Sequence, residues 1–128
     1  MAYEHLSNLD AEECLRLLKT HSVGRVAWAG SAGVLVLPVA YTLHGDSLVF
    51  LTSPAGVLAD LVNPTVVSFE VDDIDVETRT GWNVLVQGVS GPGPDSVLGL
   101  PDPWAPGERS LAVAITPQNY SGRAVAAG

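Results

Sequence analysis

Apolar and polar positions alternate with a period of two along most of the chain, the signature of half-buried strands. "VGRVAWAG" (23–30) is a short strand that ends in the glycine-bounded turn Gly30–Gly33. "VLVLPVAYTL" (34–43) is a longer one, and Pro38 inside it predicts an edge, a bulge or an opening in the ladder. His44–Asp46 reads as a hairpin turn into the partner strand "SLVFLT" (47–52). "TVVSFEVD" (65–72) puts Val67, Phe69 and Val71 on one face, and "DIDVETRT" (73–80) reads as an acidic connection. "GWNVLVQGVSG" (81–91) and "RSLAVAITP" (109–117) are further strands, and the tail after them reads as an edge strand that frays.

Two stretches break this alternation. In "SNLDAEECLRLLKTHSVG" (7–24) the apolar positions Cys14, Leu15, Leu17 and Leu18 recur with helical spacing. Asp10 and Glu13 form a capping-box pattern, with Leu9 and Cys14 placed as a hydrophobic staple. A second short helix is expected from about Ala55 to Val62, stopped by Asn63-Pro64. "PGPDSVLGLPDPWAPGE" (92–108) is rich in proline and glycine and reads as a loop holding at most one helical turn; Trp104 within it is a loop anchor or an interface residue. The chain is thus mainly β, one domain over 1–128 with six or seven strands and two short helices, and 1–8 and 124–128 are expected to be flexible ends.

Composition narrows the function. The net charge of -8 argues against a duplex-binding surface and against anionic membranes, since both need clustered Lys and Arg. No apolar run approaches the roughly 20 residues of a membrane helix, and no signal pattern opens the chain, so a cytoplasmic place is expected. The single cysteine, Cys14, excludes an intrachain disulfide and reads as a core thiol on the apolar helix face. His5, His21 and His44 are scattered and read as surface residues, so no metal site is expected. The acidic run Glu70, Asp72, Asp73, Asp75, Glu77 lacks the glycine of an EF-hand loop and reads as a solvated face paired with Arg79. Trp82 after Gly81 has two readings, a plug in the barrel mouth or a wall beside a flat ligand.

The order of motifs adds a resemblance. "LDAEECLRLLKTHSVGRVAWAG", "LPVAYTLHGDSLVFLTSPAG", "VVSFEVDDIDVETRTGWNVLVQG" and "ITPQNYSGRAV" together resemble the short bacterial branch of the pyridoxamine 5'-phosphate oxidase-like, FMN-binding split barrels, from about Leu9 to Val125. The resemblance implies a split β-barrel, a homodimer with FMN in clefts between subunits, and oxidoreductase chemistry on a small molecule. F420 or no cofactor are the alternatives within the family. It carries the cofactor role onto Pro38, Val39, Ala40, Tyr41, Leu51, Thr52, Val57 and Trp82, and leaves Tyr41 and Glu70 as catalytic candidates.

Departures from the family pattern bear on that role. The strand matching "VFLT" commonly ends Phe-Arg-Thr in this branch, its arginine on the FMN phosphate; Leu51 stands there, and Val57 replaces a second basic residue. Ala40 and Asn83 replace an asparagine and a serine. No Lys or Arg occurs between Arg25 and Arg79. What remains for an anion at this place is Thr52, the N–H groups opening the second helix, and Arg25, Arg79 or Arg123 brought from elsewhere. Three functions therefore stand side by side: a flavin oxidoreductase, a split barrel that has lost FMN and uses the same cleft for another ligand, and a dimeric scaffold.

Overall fold

The computed structural model describes residues 5–95 and 109–126. Among the described residues, seven strands, one α-helix and one 3-10 helix run in the order β1 (His5–Asn8), α1 (Ala11–Thr20), β2 (Val23–Gly30), β3 (Gly33–His44), β4 (Ser47–Thr52), the 3-10 helix (Val57–Val62), β5 (Thr65–Asp75), β6 (Thr80–Pro92) and β7 (Leu111–Ala126). All pairings are antiparallel, in the order β1-β7-β4-β3-β2-β5-β6, and β6 pairs again with β7. Six strands therefore close a ring and β1 adds to its outside. This is the mainly β barrel that the pattern predicts.

Closure depends on β7. Its first residues pair with β4 (Leu51 opposite Ala112) and most of its length pairs with β6 (Asn83 opposite Arg123). The β6–β7 pairing carries a register shift at Gln87/Gly88. Gly88 is required there: an added Cβ would run into the Thr116 carbonyl.

The barrel interior is filled by alternate residues. Val26, Leu48, Phe50, Val67, Phe69, Val71, Val84, Val86, Val113 and Ile115 are buried, so the single-face reading of Val67, Phe69 and Val71 holds. Helix α1 closes one end with Cys14 and Leu18. Asp10 caps it, its carboxylate accepting from the Glu13 N–H at 2.8 Å. The buried Tyr41 hydroxyl donates to the Leu18 carbonyl at 2.6 Å and ties the helix end to β3.

Several expectations change. The second short helix ends at Val62 as expected, but it begins at Val57 rather than about Ala55 and is a 3-10 helix; six residues between Gly56 and Asn63-Pro64 are too few to nucleate α geometry. β5 runs on to Asp75, so half of the acidic connection is strand, and Val76–Arg79 alone makes the turn. Arg79 takes a left-handed φ of 58° in it. Within the described part of the two ends, His5–Asn8 pairs with Arg123–Ala126 and β7 runs unbroken past Pro117; residues 1–4 and 127–128 lie outside the described residues. Trp104 and most of its proline-rich loop lie outside the described residues.

Pro38 sits where the sequence demands. β2 pairs with β3 from Gly33 to Ala40, whereas β4 pairs with it from Tyr41 to His44. Pro38 thus lies on a stretch with one neighbour, where its missing N–H leaves no gap in the ladder. That open stretch is apolar, with Val34 74% and Val36 58% exposed; Val66 of β5 is 79% exposed.

Candidate functional site

The residues singled out by sequence separate into two places. The first is the β3–β4 edge. Pro38 is exposed, Ala40 and Leu51 are half-buried, and Val57 is exposed at the start of the 3-10 helix. Val39 and Thr52 are buried. Tyr41 is not part of an open site: its ring is in the core, edge-on to Phe69 with 5.0 Å between centroids, and its hydroxyl is spent on Leu18. Burial pushes that hydroxyl up to about 12, which keeps it neutral.

An apolar, half-open edge of this kind suits one face of a flat ring. It does not suit a phosphate. Leu51 and Val57 supply no charge, and the Ala55 and Gly56 N–H groups already donate to the side chain and carbonyl of Ser53. The anion-binding helix start expected from sequence is a six-residue 3-10 helix with no side-chain cap.

The second place is a groove of about 680 Å³ on the outer face of β5, β6, β7 and β1. It follows from cross-strand register. Asp72, Asn83, Arg123 and Asn8 stand side by side in one row, and Ile74, Gly81, Val125 and Leu6 in the next. Glu70, Asp75, Val76, Arg79, Thr80 and Trp82 complete the lining.

Glu70 lies at the polar end of this groove. It and Asp72 are two apart on β5 and so share a face. The Arg25 guanidinium stands between them, 3.6 Å from Glu70 Oε1 and 3.4 Å from Asp72 Oδ2. Arg25, not Arg79, is therefore the partner of the acidic run. Burial of Glu70, with Asp72 beside it, pushes its carboxyl up to about 7 despite Arg25. Its Oε1 is buried and makes no hydrogen bond, facing the Arg25 guanidinium at 3.6 Å.

Trp82 stands between the core and the groove. It packs on the core and meets His21 edge-on at 4.8 Å between ring centroids, plugging the barrel mouth beside α1, and it also lines the groove. His21 is half-buried rather than a plain surface histidine: its Nε2 lies 3.5 Å from Asp73 Oδ2, and Asp73 is the cross-strand partner of Trp82. Among the described residues no group of His, Cys, Asp and Glu could hold a metal ion, and no helix is long and apolar enough to cross a membrane. Cys14 is fully buried, and burial raises its thiol above the ordinary range.

Sequence reasoning named Glu70 and Trp82 but not the groove they border. Period-two alternation already puts Glu70, Asp72 and Ile74 on one face. What hides the groove is the β6–β7 register, set by the shift at Gln87/Gly88, which brings Arg123 and Val125 beside them.

Comparison with known proteins gives concordant relatives. Residues 10–124 match the family model described as pyridoxamine 5'-phosphate oxidase. The uncharacterised protein Rv0080 of Mycobacterium tuberculosis is 30% identical over 124 residues, covering 89% of this chain and 82% of that one. An FAD-binding protein from Mycobacterium smegmatis superposes with a TM-score of 0.76 at 26% identity, over 95% of this chain and 100% of that one. An FAD-binding protein from Mesorhizobium loti superposes with a TM-score of 0.75 at 25% identity, over 94% and 99%.

Proposed function

The chain belongs to the pyridoxamine 5'-phosphate oxidase family, and from that premise we propose that it is a flavin-nucleotide-binding split barrel, a homodimer acting on a small molecule as an oxidoreductase. The observation that carries the proposal is the likeness, over almost the whole chain, to two proteins described as FAD-binding. FAD therefore stands beside FMN as the nucleotide. The Pro38–Ala40 and Leu51–Val57 edge supports it with an accessible apolar wall for the ring.

Bound flavin supplies the electron and hydride chemistry. The chain supplies shape and protons. Pro38, Ala40 and Leu51 offer the ring a surface that excludes water. Glu70, poised near 7 beside Asp72, holds a proton that it can give or take at neutral pH. The exposed Val34, Val36 and Val66 support a second copy as the cover of an otherwise unfavourable apolar surface.

A second reading rests on Leu51 and Val57. Without cations at that edge, the barrel can work without flavin and use the Glu70–Asp72 pair for acid–base chemistry on another ligand. Fluorescence titration separates the two. Saturable quenching of FMN or FAD at micromolar protein supports the flavin reading; no quenching with either nucleotide transfers the function to the second.

A further inference from the structure

His21 follows the last turn of α1, and its imidazole meets three elements at once. On α1, its Nδ1 lies 3.2 Å from the Leu17 carbonyl oxygen and 2.9 Å from the Thr20 hydroxyl. On β5, its Nε2 lies 3.5 Å from Asp73 Oδ2. On β6, its ring stands edge-on to Trp82, with 4.8 Å between centroids and the planes at 85°. Register fixes this meeting, because Asp73 and Trp82 are cross-strand partners and β7 faces Trp82 with Ala124.

A neutral imidazole has one N–H and one lone pair. Here both ring nitrogens face oxygen. The Thr20 hydroxyl donates to the Leu17 carbonyl at 2.8 Å, so its own oxygen is open to accept, and Nδ1 fits this corner as a donor. With the proton on Nδ1, the Nε2 lone pair points at the Asp73 carboxylate. With the proton on Nε2, the Nδ1 lone pair points at the Leu17 carbonyl, and Thr20 must leave that carbonyl in order to donate to the ring. Each neutral tautomer gives up one contact. The imidazolium, with an N–H on both nitrogens, keeps all of them.

The charged groups around the ring are few. Asp73 on β5 is in contact with it. Lys19 is the basic residue in the last turn of α1, and it is exposed. Trp82 on β6 and Ala124 on β7 bring no charge. Arg25 on β2 is held by Glu70 and Asp72.

We propose that His21 is a proton-operated latch on Trp82. Protonated, the ring bridges the end of α1 to β5 and holds the indole at the barrel mouth. Deprotonated, it keeps the Leu17 contact or the Asp73 contact but not both, and Trp82 loses part of its support. Histidine is the side chain that changes charge between roughly pH 5 and 8, so the packing of Trp82 answers to pH in that range. Nothing in the latch requires a bound flavin.

Tryptophan emission and near-ultraviolet circular dichroism of the full chain, followed from about pH 5 to about pH 8 without added nucleotide, test it. The Trp82 signal is wild type minus Trp82→Phe. An imidazolium quenches an indole beside it, so Trp82 emission is expected to fall as pH falls through this range, with a matching change in the near-ultraviolet band. His21→Gln, which has no proton to gain, should abolish the change and keep the far-ultraviolet spectrum of wild type. Asp73→Asn should move the transition to lower pH. Glu70 titrates at about 7, so Glu70→Gln is the control, and the Trp82 transition should survive in it. A Trp82 signal that stays flat in wild type, a transition that persists in His21→Gln, or one lost in Glu70→Gln would overturn the latch. Where a variant fails to fold, the ring-nitrogen NMR shifts of His21 in wild type decide. Two protonated nitrogens at the acid end, lost together with the Trp82 transition, support the latch; a ring that titrates apart from Trp82 overturns it. Failure of the flavin reading appears separately, as absence of FMN and FAD quenching in the wild type.

Discussion

Replacing Glu70 with glutamine keeps the shape of the side chain and removes its ability to ionise. Glu70 rises from an ordinary 4.5 to about 7 in the folded chain, first through burial and then through Asp72. Folding therefore favours the protonated form. The stability this gives is complete below about pH 4.5 and is lost as pH rises through about 7. At about 1.4 kcal/mol per pH unit, the full difference has a ceiling of ~3 kcal/mol. Glu70 retains 29% of its side-chain exposure, and the water at its edge reduces this to about 1–2 kcal/mol. Glu70→Gln should thus match wild type near pH 4.5 and exceed it by about 1–2 kcal/mol at pH 8, or about 3–6 °C in Tm. Urea unfolding of both chains between pH 4.5 and 8.5 measures the difference, and subtraction removes every other titrating group. Asp72→Asn should lower the Glu70 pKa and shrink the gain of the double variant. A difference between wild type and Glu70→Gln that stays flat with pH would mean that the Glu70 carboxyl titrates alike in the folded and unfolded chain.

Three other outcomes follow from the geometry. Gly88→Ala should destabilise the chain by about 2–4 kcal/mol because the added methyl meets the Thr116 backbone, whereas Gly91→Ala, with open space around it, should cost under about 1 kcal/mol; denaturant midpoints compare them. Cys14, buried and with a raised thiol, should react with a thiol reagent at least a hundredfold more slowly in the native chain than in denaturant, on the order expected for a group reached through opening of the fold. Leu51→Arg with Val57→Lys should tighten FMN by about a hundredfold through two charge-assisted contacts and leave riboflavin, which has no phosphate, unchanged; equal effects on both ligands would place the phosphate elsewhere.

The fold is legible in the sequence where one residue forces a local choice. Pro38 announces the stretch of β3 that has a single neighbour, Asp10 announces the start of α1, and the spacing of Val67, Phe69 and Val71 gives the inner face of β5. Long-range pairing is not written this way. The tail beyond Pro117 has few strong strand formers and reads as an edge strand that frays, yet β6 pairs along it to Val125 and β1 adds a second neighbour from Arg123 to Ala126. Half of the acidic run looks like a loop by composition, but Asp73, Ile74 and Asp75 are fixed by pairing with Trp82, Gly81 and Thr80.

The candidate site shows the same division. Glu70 and Trp82 stand out as residue types, and the structure gives each a specific setting. The Glu70 setting depends on Arg25, 45 positions away in sequence and directly opposite in register. Tyr41 stands out equally, and its hydroxyl proves to be a structural tie to Leu18. A single aromatic or acidic residue carries no record of which strand lies beside it, and that neighbour decides between packing and chemistry.

The proposed function requires a dimeric split barrel that holds a flavin nucleotide. Sedimentation velocity of the purified chain mixed with FMN or FAD, followed at 280 nm and at the flavin absorbance near 450 nm, tests it directly. The flavin signal is expected to move with the protein as one boundary at about twice the 13.3 kDa chain mass. Flavin that stays at the rate of the free nucleotide while the protein sediments without it would rule out the flavin reading.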